Sequence, residues 1–299
     1  MSGHTITVSG RELKITNPDK VLYPEAGFTK GDVIEYYRRI APALLPHLRG
    51  RALTMKRYPN GVDEQYFYQK ESPKHRPDWV TTVPMWSEGN GRDINFTVVN
   101  SLPTLLWAAN LADLELHTSM ARARTGRRPT MMVFDLDPGP PATIVECCEV
   151  ALLIRERLAR DGLRCFPKTS GSKGLQLYAP LNTPAGYDGT KGFARDLART
   201  MEAEHADLVV SNMRKELRTG RVLMDWSQND YLKTTVCVYS LRARSHPTVS
   251  TPLSWDEVEH ATEHRDPERL VFDWAAVLDR VERLGDLFEP VVKLKQKLP

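Results

Sequence analysis

The stretch MMVFDLDPGP, residues 131–140, organises the fold expected of this chain. Met131–Phe134 is an apolar run typical of a short buried strand, and the prolines and glycine that follow predict a turn. Because side chains alternate faces along a strand, Asp135 and Asp137 project from one face, about 7 Å apart. Paired carboxylates repel each other unless a cation or proton intervenes, and oxygen ligands of this kind suit Mg²⁺ or Mn²⁺. Taken alone, the pair also fits a solvated strand end or a helix cap.

Strand and helix patterns alternate on both sides of this stretch. Thr29 is a suitable N-cap for an amphipathic helix that ends before Gly50, and residues 142–160 repeat apolar side chains at helical spacing. Further strands are predicted at residues 51–57, 94–99, 114–117, 164–167, 175–179, 222–225 and 236–241, and further helices after Ser101 and at 191–205, 255–261 and 275–284. The chain is therefore predicted to have a mixed α/β fold, and it contains no repeats and no linker between independent domains.

The composition of the chain is typical of an ordinary globular protein. With 299 residues, 41% hydrophobic and 26% charged, the chain resembles an ordinary soluble globular protein. No stretch has the length of an apolar membrane span, and the N-terminus lacks the apolar core of a signal peptide. The cysteines, none of them in a C-x-x-C pair, are Cys147, Cys148, Cys165 and Cys237. We therefore expect neither a disulfide framework nor a zinc knuckle, and a cytoplasmic location.

Basic residues are unevenly distributed, although the net charge is only +3. Residues 1–60 carry ten Lys/Arg against five Asp/Glu, and residues 117–130 carry four arginines and no acid. Residues 211–223 form a third basic segment. Basic patches beside an acidic pair indicate a polyanionic substrate that approaches a metal site. Each patch taken alone also fits an uneven solvated surface.

Two further segments could complete such a site. Asp225 ends a predicted strand and is a candidate third carboxylate for a two-metal arrangement, although alone it also fits a turn or capping residue. Residues 170–174 (SGSKG) lie between two predicted strands and offer hydroxyls, backbone N–H groups and an ammonium to a triphosphate. The spacing is not that of a Walker A loop, and a flexible turn is the alternative.

Three other side chains have two interpretations each. His117 at the end of a predicted strand is either a binding residue or a histidine satisfied within the fold. Phe67 and Tyr68 are either core residues or, because basic residues flank them, a platform on which nucleic-acid bases stack.

Several motifs occur together and in order. They are FDLDPGP (134–140), PKTSGSKGLQLY (167–178), LRTGRVLMDWSQN (217–229) and YSLRARSHPTV (239–249), preceded by ITNPDKVLYPEAGFTKGDVIEYY (15–37) and KRYPNGVDEQYFYQK (56–70). This combination resembles the polymerase domain of bacterial ATP-dependent DNA ligase D, in the archaeo-eukaryotic primase superfamily. The resemblance runs from about residue 10 to about residue 285, and the ordered set is specific where any single motif would be weak.

The resemblance implies one primase-polymerase domain over residues 1–299, in which an RRM-like catalytic sheet is fused to an N-terminal α/β lobe. Residues 1–115 would form a lobe that binds DNA and a 5′-phosphate, and residues 116–299 would form the catalytic lobe. The implied activity is that of a metal-dependent nucleotidyltransferase, which extends a 3′-hydroxyl with NTPs or dNTPs and often favours ribonucleotides and Mn²⁺. Two divalent ions, Mn²⁺ or Mg²⁺, are the implied cofactors.

Roles carry over residue by residue. Asp135, Asp137 and Asp225 match the metal-binding catalytic acids. The triphosphate-binding second motif is matched by Ser170, Ser172 and Lys173, and other nucleotide contacts are matched by His117, Arg218, Gln228 and Arg242. Asn17, Lys20 and Lys30 match the pocket for a downstream 5′-phosphate, Phe67 and Tyr68 match an aromatic pair on the template, and Lys56 matches a basic residue near the DNA backbone.

The second motif departs from the family pattern at one position. Ligase D polymerases usually have histidine where this chain has Gln176. A glutamine can donate a hydrogen bond to a phosphate oxygen but cannot carry positive charge. We therefore expect Gln176 to bind the nucleotide with a weaker or differently tuned triphosphate grip.

The expected partners are gapped or broken DNA with a 5′-phosphate, NTPs or dNTPs, and a separate DNA ligase or Ku, without a membrane. The chain is expected to be a stand-alone polymerase or the front of a longer protein, acting in gap filling, excision repair or non-homologous end joining. One alternative is a non-catalytic module that binds or bridges DNA ends, which only Gln176 supports. Another is a D-x-D nucleotide-sugar transferase that uses Mn²⁺.

Overall fold

A computed structural model describes residues 3–299 as a mixed α/β structure. The strands are β1 (Gly3–Val8), β2 (Arg11–Thr16), β3 (Val21–Tyr23), β4 (Phe28–Thr29), β5 (Ala52–Arg57), β6 (Phe67–Gln69), β7 (Thr82–Ser87), β8 (Arg92–Val98), β9 (Asp113–Thr118), β10 (Met131–Pro138), β11 (Phe166–Thr169), β12 (Leu175–Pro180), β13 (Val209–Val210), β14 (Val222–Asp225) and β15 (Thr235–Val236). The α-helices are α1 (Lys30–Leu48), α2 (Leu102–Asn110), α3 (Ile144–Arg160), α4 (Tyr187–Glu204), α5 (Trp255–His264), α6 (Trp274–Leu284) and α7 (Glu289–Lys293). None of these helices is long and apolar enough to cross a membrane.

The chain divides into two compact units that do not follow a single cut in the sequence. The first unit comprises the chain up to Arg124, together with Thr234–Val249 and Asp273–Gly285. The second unit comprises Thr125–Lys233, Ser250–Phe272 and Asp286–Pro299. The assignment of DNA binding to residues 1–115 and of catalysis to residues 116–299 stays a prediction.

The second unit is built on a five-stranded sheet in the order β11-β12-β10-β14-β13. The predicted central strand is confirmed as β10, and Met132, Phe134 and Leu136 on one of its faces are completely buried in the core. Helices α3, α4 and α5 contribute to the same core. Because successive side chains alternate, Asp135 and Asp137 project from the opposite face of the sheet.

The first unit contains a sheet in the order β15-β9-β5-β8-β7, with β6 paired to β5. Helix α1 begins where the sequence predicts, because Thr29 and Asp32 form a capping box at its first turn. Its apolar residues, including Val33, Tyr37 and Leu44, are buried. A hairpin joins β7 to β8, with Gly91 in the left-handed conformation between the two strands.

The strand predicted at residues 236–241 is wrong over most of its length. Strand β15 ends at Val236, and the chain turns at Tyr239, which has a φ of 64°. Ser240 N–H donates to the carbonyl of Cys237 across this turn at 3.2 Å. The apolar side chains here are buried, as in a strand, and burial alone does not distinguish a strand from a buried turn.

The four cysteines lie in the interior of the protein. All four are free and buried. Burial raises the pKa of the Cys147, Cys148 and Cys165 thiols, so these side chains act as small apolar groups in the core.

Candidate active site

Four polar residues form a row across four adjacent strands of the second unit. Lys168 on β11 pairs with Gln176 on β12, Gln176 pairs with Asp135 on β10, and Asp135 pairs with Asp225 on β14. Directly opposed residues in antiparallel strands place their side chains on the same face. The register therefore brings two of the predicted catalytic acids face to face, with Asp137 two residues further along the same face of β10.

The electrostatics of Asp135 suit a cation. Burial, and next the negative charges of Asp137 and Asp225, raise the pKa of the Asp135 carboxyl well above its usual range. A hydrogen bond from Gln176 Nε2 to Asp135 Oδ1, 3.0 Å long, and the positive charge of Lys168 oppose that rise. A divalent ion among these carboxylates would remove their mutual repulsion, so the donor set fits Mg²⁺ or Mn²⁺.

Asp225 has one of the two roles that the sequence left open, that of a capping residue. Its Oδ1 accepts hydrogen bonds from Ser227 N (2.8 Å) and Ser227 Oγ (2.6 Å), and its Oδ2 accepts one from Gln228 Nε2 (3.1 Å). Asp225 thus caps the turn that follows β14. Within residues 3–299, no three His, Cys, Asp or Glu side chains form a ready-made metal cluster. The carboxylate of Asp225 nevertheless retains lone pairs for a cation.

The Ser170–Gly174 loop folds back on itself beside the acids. Ser170 Oγ accepts hydrogen bonds from the backbone N–H groups of Ser172 (3.2 Å) and Gly174 (3.1 Å). These two N–H groups are therefore already satisfied. Ser172 and Lys173 are exposed, so their side chains are the groups that the loop offers to a ligand.

Two glycines allow close approaches around β10. A Cβ at Gly174 would lie 2.1 Å from the carbonyl oxygen of Leu136, and one at Gly139 would lie 1.9 Å from that of Arg218. Gly139 N–H also donates to the carbonyl of Arg221 at 2.8 Å. The glycines hold the second motif and the segment that carries Arg218 directly against the Asp-Leu-Asp strand. The buried Nε of Arg218 makes no hydrogen bond within the protein.

In the first unit, the buried carboxylate of Glu115 lies among three of the predicted binding residues. It contacts Lys56 Nζ at 3.2 Å, His117 Nε2 at 3.0 Å and Arg242 Nε at 3.5 Å. Burial alone would raise the pKa of Glu115, but the hydrogen bond to His117 and the nearby cations outweigh it and lower that pKa well below its usual range. Burial lowers the pKa of His117, against the opposing effect of Glu115. Glu115 is therefore an anion, and its carboxylate orients Lys56, His117 and Arg242.

The sequence analysis did not identify Glu115. The signal available was its position two residues before His117 on a predicted strand, which places both side chains on one face. The ring of His117 has Glu115, on the same strand β9, as its partner within the fold.

The aromatic pair Phe67 and Tyr68 is not part of the core. Their side chains are 44% and 55% exposed, beside Tyr66 at 47%. Lys56 Nζ lies 4.5 Å from the ring centroid of Tyr66, and the guanidinium of Arg57 lies 5.1 Å from that of Phe67. Exposed rings with adjacent cations are suited to base stacking and backbone contact.

The three residues predicted to bind a 5′-phosphate lie together in the first unit. Lys20 N–H donates to the carbonyl of Asn17 at 3.2 Å, and Lys30 N–H donates to the carbonyl of Lys20 at 2.8 Å. Lys30 Nζ is buried against Thr16 Oγ1 (3.0 Å) and the carbonyl of Asn110 (3.2 Å). Burial, and next the charge of Lys20, lower the pKa of Lys30 to about 8. No carboxylate contacts this ammonium among the hydrogen bonds of the described residues.

The predicted site residues thus fall into two sets. The set in the second unit comprises Asp135, Asp137, Ser170, Ser172, Lys173, Gln176, Arg218, Asp225 and Gln228; the set in the first unit comprises Asn17, Lys20, Lys30, Lys56, Phe67, Tyr68, His117 and Arg242. Each set has its own buried charged residue that the sequence analysis missed, Lys168 and Glu115 respectively.

Known proteins resemble this chain over nearly its whole length. The model of the LigD primase-polymerase domain matches residues 29–288. The multifunctional non-homologous end joining protein LigD of Mycolicibacterium smegmatis is 41% identical over 281 residues, which are 93% of this chain and 36% of the relative. The bifunctional LigD of Bacillus subtilis is 32% identical over 275 residues, 92% of this chain and 43% of the relative. The chain therefore spans less than half the length of these relatives.

A solved structure agrees with the sequence comparisons. The polymerase domain of Mycobacterium tuberculosis Ligase D in complex with DNA matches with a TM-score of 0.88 and 39% sequence identity, covering 95% of this chain and 99% of that one. The predicted primase-polymerase fold is therefore confirmed. From its sequence motifs, its fold and these matches, the chain belongs to the LigD primase-polymerase domain family.

Proposed function

We propose that the chain is a template-directed polymerase that adds NTPs or dNTPs to a 3′-hydroxyl at gaps or breaks in DNA. The observation that carries the proposal is the register of β10 and β14, which sets Asp135 opposite Asp225 with Asp137 on the same face. Membership of a primase-polymerase family makes the chain a nucleotidyltransferase.

Asp135, Asp137 and Asp225 would hold two divalent ions, Mn²⁺ or Mg²⁺. When bound, the ions lower the pKa of the attacking 3′-hydroxyl and stabilise the charge on the leaving pyrophosphate. The protein orients the acids through neutral donors, namely the Gln176 amide on Asp135 and the Ser227 and Gln228 side chains on Asp225. These donors keep the carboxylates in place without neutralising their charge.

The incoming triphosphate would be bound by groups around the Asp-Leu-Asp strand. Ser172 and Lys173 are exposed at the tip of their loop, and Ser170 shapes that loop by accepting two backbone hydrogen bonds. The guanidinium of Arg218 has an Nε donor that the protein leaves unused, and a phosphate oxygen would satisfy it. Gln176, in contrast, is turned toward Asp135, so its role is better described as support of a catalytic acid than as a phosphate contact.

The first unit would bind DNA. The ammonium of Lys30, buried beside Lys20 and Asn17, suits a 5′-phosphate, because a dianion would offset the cost of burying it. Phe67 and Tyr68 would stack on template bases, and Lys56 would lie near the backbone. His117 and Arg242, which both contact Glu115, would bind the nucleotide. The M. tuberculosis structure that this chain resembles was determined in complex with DNA.

The biological setting would be the repair of broken or gapped DNA. The relatives are named as non-homologous end joining proteins, and this chain corresponds to 36–43% of their length. Ligation and any contact with Ku would therefore depend on other chains or segments. Gap filling in end joining or in excision repair would use the same polymerase chemistry.

A gapped duplex with a labelled primer tests the proposal. We expect templated, divalent-ion-dependent extension with NTPs or dNTPs, and faster extension when the downstream strand carries a 5′-phosphate instead of a 5′-hydroxyl. Tight DNA binding without extension under Mn²⁺ and Mg²⁺ would contradict the proposal in favour of an end-binding module. Transfer of a sugar from a nucleotide-sugar donor, without templated extension, would indicate the D-x-D transferase instead.

A further inference from the structure

Lys168 is a completely buried lysine on the same sheet face as the catalytic acids. Its Nζ donates hydrogen bonds to Gln176 Oε1 and to Ser250 Oγ, both at 2.6 Å. Ser250 Oγ in turn donates its own proton to the carbonyl of Thr169 at 2.9 Å. Ser250 Oγ therefore accepts the hydrogen bond from Lys168 through a lone pair. The ammonium is thus fixed between two acceptors, and its position is set by the sheet.

The ammonium also fixes which way the Gln176 amide points. Because an ammonium only donates, the amide oxygen of Gln176 must face Lys168, and the amide nitrogen must face Asp135. The hydroxyl of Tyr178 lies 3.4 Å from the same oxygen and adds a second donor there. Without a donor behind it, the amide could rotate and present its oxygen to the Asp135 carboxylate, which would repel it.

We infer that Lys168 is a positioning residue for the polymerase reaction and acts on Asp135 through Gln176. The hydrogen-bonded series Lys168–Gln176–Asp135 engages Oδ1 of the catalytic acid and places a positive charge behind a glutamine that has none. The geometry alone supports this series of hydrogen bonds. Its effect on catalysis rests on the proposed polymerase function.

The cost of burying Lys168 supports a functional role. A buried ammonium loses its hydration, and an apolar residue of similar volume would serve the sheet as well or better. The row from Lys168 to Asp225 lies on the sheet face opposite the main apolar core, so the lysine is not needed to fill that core. What it supplies is a donor aimed at Gln176.

The first test is structural and does not depend on activity. In protein labelled with ¹⁵N-glutamine, we expect the Gln176 side-chain amide protons to exchange slowly with solvent, and to exchange at least tenfold faster in Lys168→Met. The side-chain amide of Gln296 donates to the carbonyls of Arg164 (3.0 Å) and Pro180 (2.7 Å) in the same unit. Unchanged protection of Gln296 would show that the fold of the variant is intact.

The second test is kinetic. In single-turnover extension of a gapped duplex, we expect Lys168→Met to lower the maximum rate at saturating nucleotide and Mn²⁺ by about tenfold, with little change in the nucleotide concentration that gives half that rate. Adding Gln176→His to Lys168→Met should restore the rate to within about threefold of the unmodified protein, because an imidazole has its own N–H donor and can carry charge. Lys293→Met, which removes an exposed lysine paired with Glu289, should leave the maximum rate and the half-saturating nucleotide concentration unchanged.

If Lys168→Met does not fold, Lys168→Met/Gln176→Leu replaces the polar pair by an apolar one. Its extension rate should lie within about threefold of that of Gln176→Leu, because Lys168 acts mainly through Gln176 and only its charge reaches Asp135 directly. A double variant clearly slower than Gln176→Leu would overturn the inference. So would full protection of the Gln176 amide in Lys168→Met, or a wild-type rate in that variant. If the unmodified protein extends no primer, the polymerase proposal fails, whereas the exchange experiment still decides whether Lys168 orients Gln176.

Discussion

Asp135 lies directly opposite Asp225 in the antiparallel pair formed by β10 and β14. The two carboxylates come from segments 90 positions apart in the chain. Burial, and next the negative charges of Asp137 and Asp225, raise the pKa of the Asp135 carboxyl. The strand pairing thus creates a site in which negative charge is concentrated before any substrate arrives. Such a site is unfavourable for the fold unless a cation balances it, which is the physical basis of the proposed metal dependence.

The glycines that flank β10 should tolerate no side chain. Gly139→Ala and Gly174→Ala place a methyl group about 2 Å from a backbone carbonyl oxygen, so each should lower the free energy of unfolding by about 1–3 kcal/mol and reduce extension. Urea denaturation and primer extension measure the two effects. Gly192→Ala is the matched control: its Cβ meets nothing within 4 Å in helix α4, and it should stabilise by up to about 1 kcal/mol. Equal stability of all three variants would contradict the close approach.

Recognition of the 5′-phosphate should weaken at alkaline pH. Because the pKa of Lys30 is lowered to about 8, its ammonium is charged below that pH and increasingly neutral above it. The preference for gaps with a 5′-phosphate over gaps with a 5′-hydroxyl should therefore fall by roughly tenfold between pH 7 and 9.5. Fluorescence anisotropy with both substrates gives the ratio of the two Kd values. In Lys30→Arg, which keeps its charge, any remaining preference should be independent of pH; a parallel decline in both proteins would exclude Lys30 as the cause.

The exposed aromatic pair should contribute to DNA affinity. Phe67→Ala and Tyr68→Ala each remove a stacking surface, at a cost of about 1–3 kcal/mol in binding to gapped DNA, while the folded structure is retained. Trp86→Ala removes a ring that is similarly exposed, at 52%, and lies outside the cluster around Lys56, so its Kd should match that of the unmodified protein. Equal losses in all three variants would mean that stacking is not specific to the Phe67–Tyr68 pair.

Glu115→Gln should disturb Lys56, His117 and Arg242, the three side chains that Glu115 contacts. Replacing this buried carboxylate leaves Lys56, His117 and Arg242 without their shared anion, and we expect the free energy of unfolding to fall by about 3 kcal/mol. Because Glu115 raises the pKa of His117, the substitution should lower that pKa further, as NMR titration would show. Glu12→Gln, at an exposed position of β2, is the control. An unchanged His117 titration would contradict the assigned contact.

The local parts of the fold were predictable from sequence. Helix α1 begins after Thr29 because the two residues of its capping box, Thr29 and Asp32, are only three positions apart. Strand β14 spans the predicted residues 222–225 because its apolar run ends at Asp225. The shared face of Asp135 and Asp137 also follows from the two-residue period of a strand. The pairing of Asp135 with Asp225 could not be derived in this way, because the register joins segments far apart in the chain.

The buried charges were not predictable for a related reason. Glu115 lies in a predicted strand and Lys168 directly follows one, and at both positions a charged residue ordinarily indicates a solvated face. Their roles depend on partners brought in by neighbouring strands, such as Gln176 on β12 for Lys168 and Lys56 on β5 for Glu115. Likewise, the turn at Tyr239 depends on its left-handed backbone, which has no signature in an apolar segment.

The measurement that most directly tests the central claim compares the unmodified protein with Asp135→Ala/Asp137→Ala. Primer extension on a gapped duplex with Mn²⁺ and binding of the same DNA should be followed in parallel. We expect the double variant to lose extension by at least about a thousandfold while its DNA affinity stays within about threefold, because the acids bind metal rather than DNA. Extension by the double variant at the rate of the unmodified protein would contradict the account.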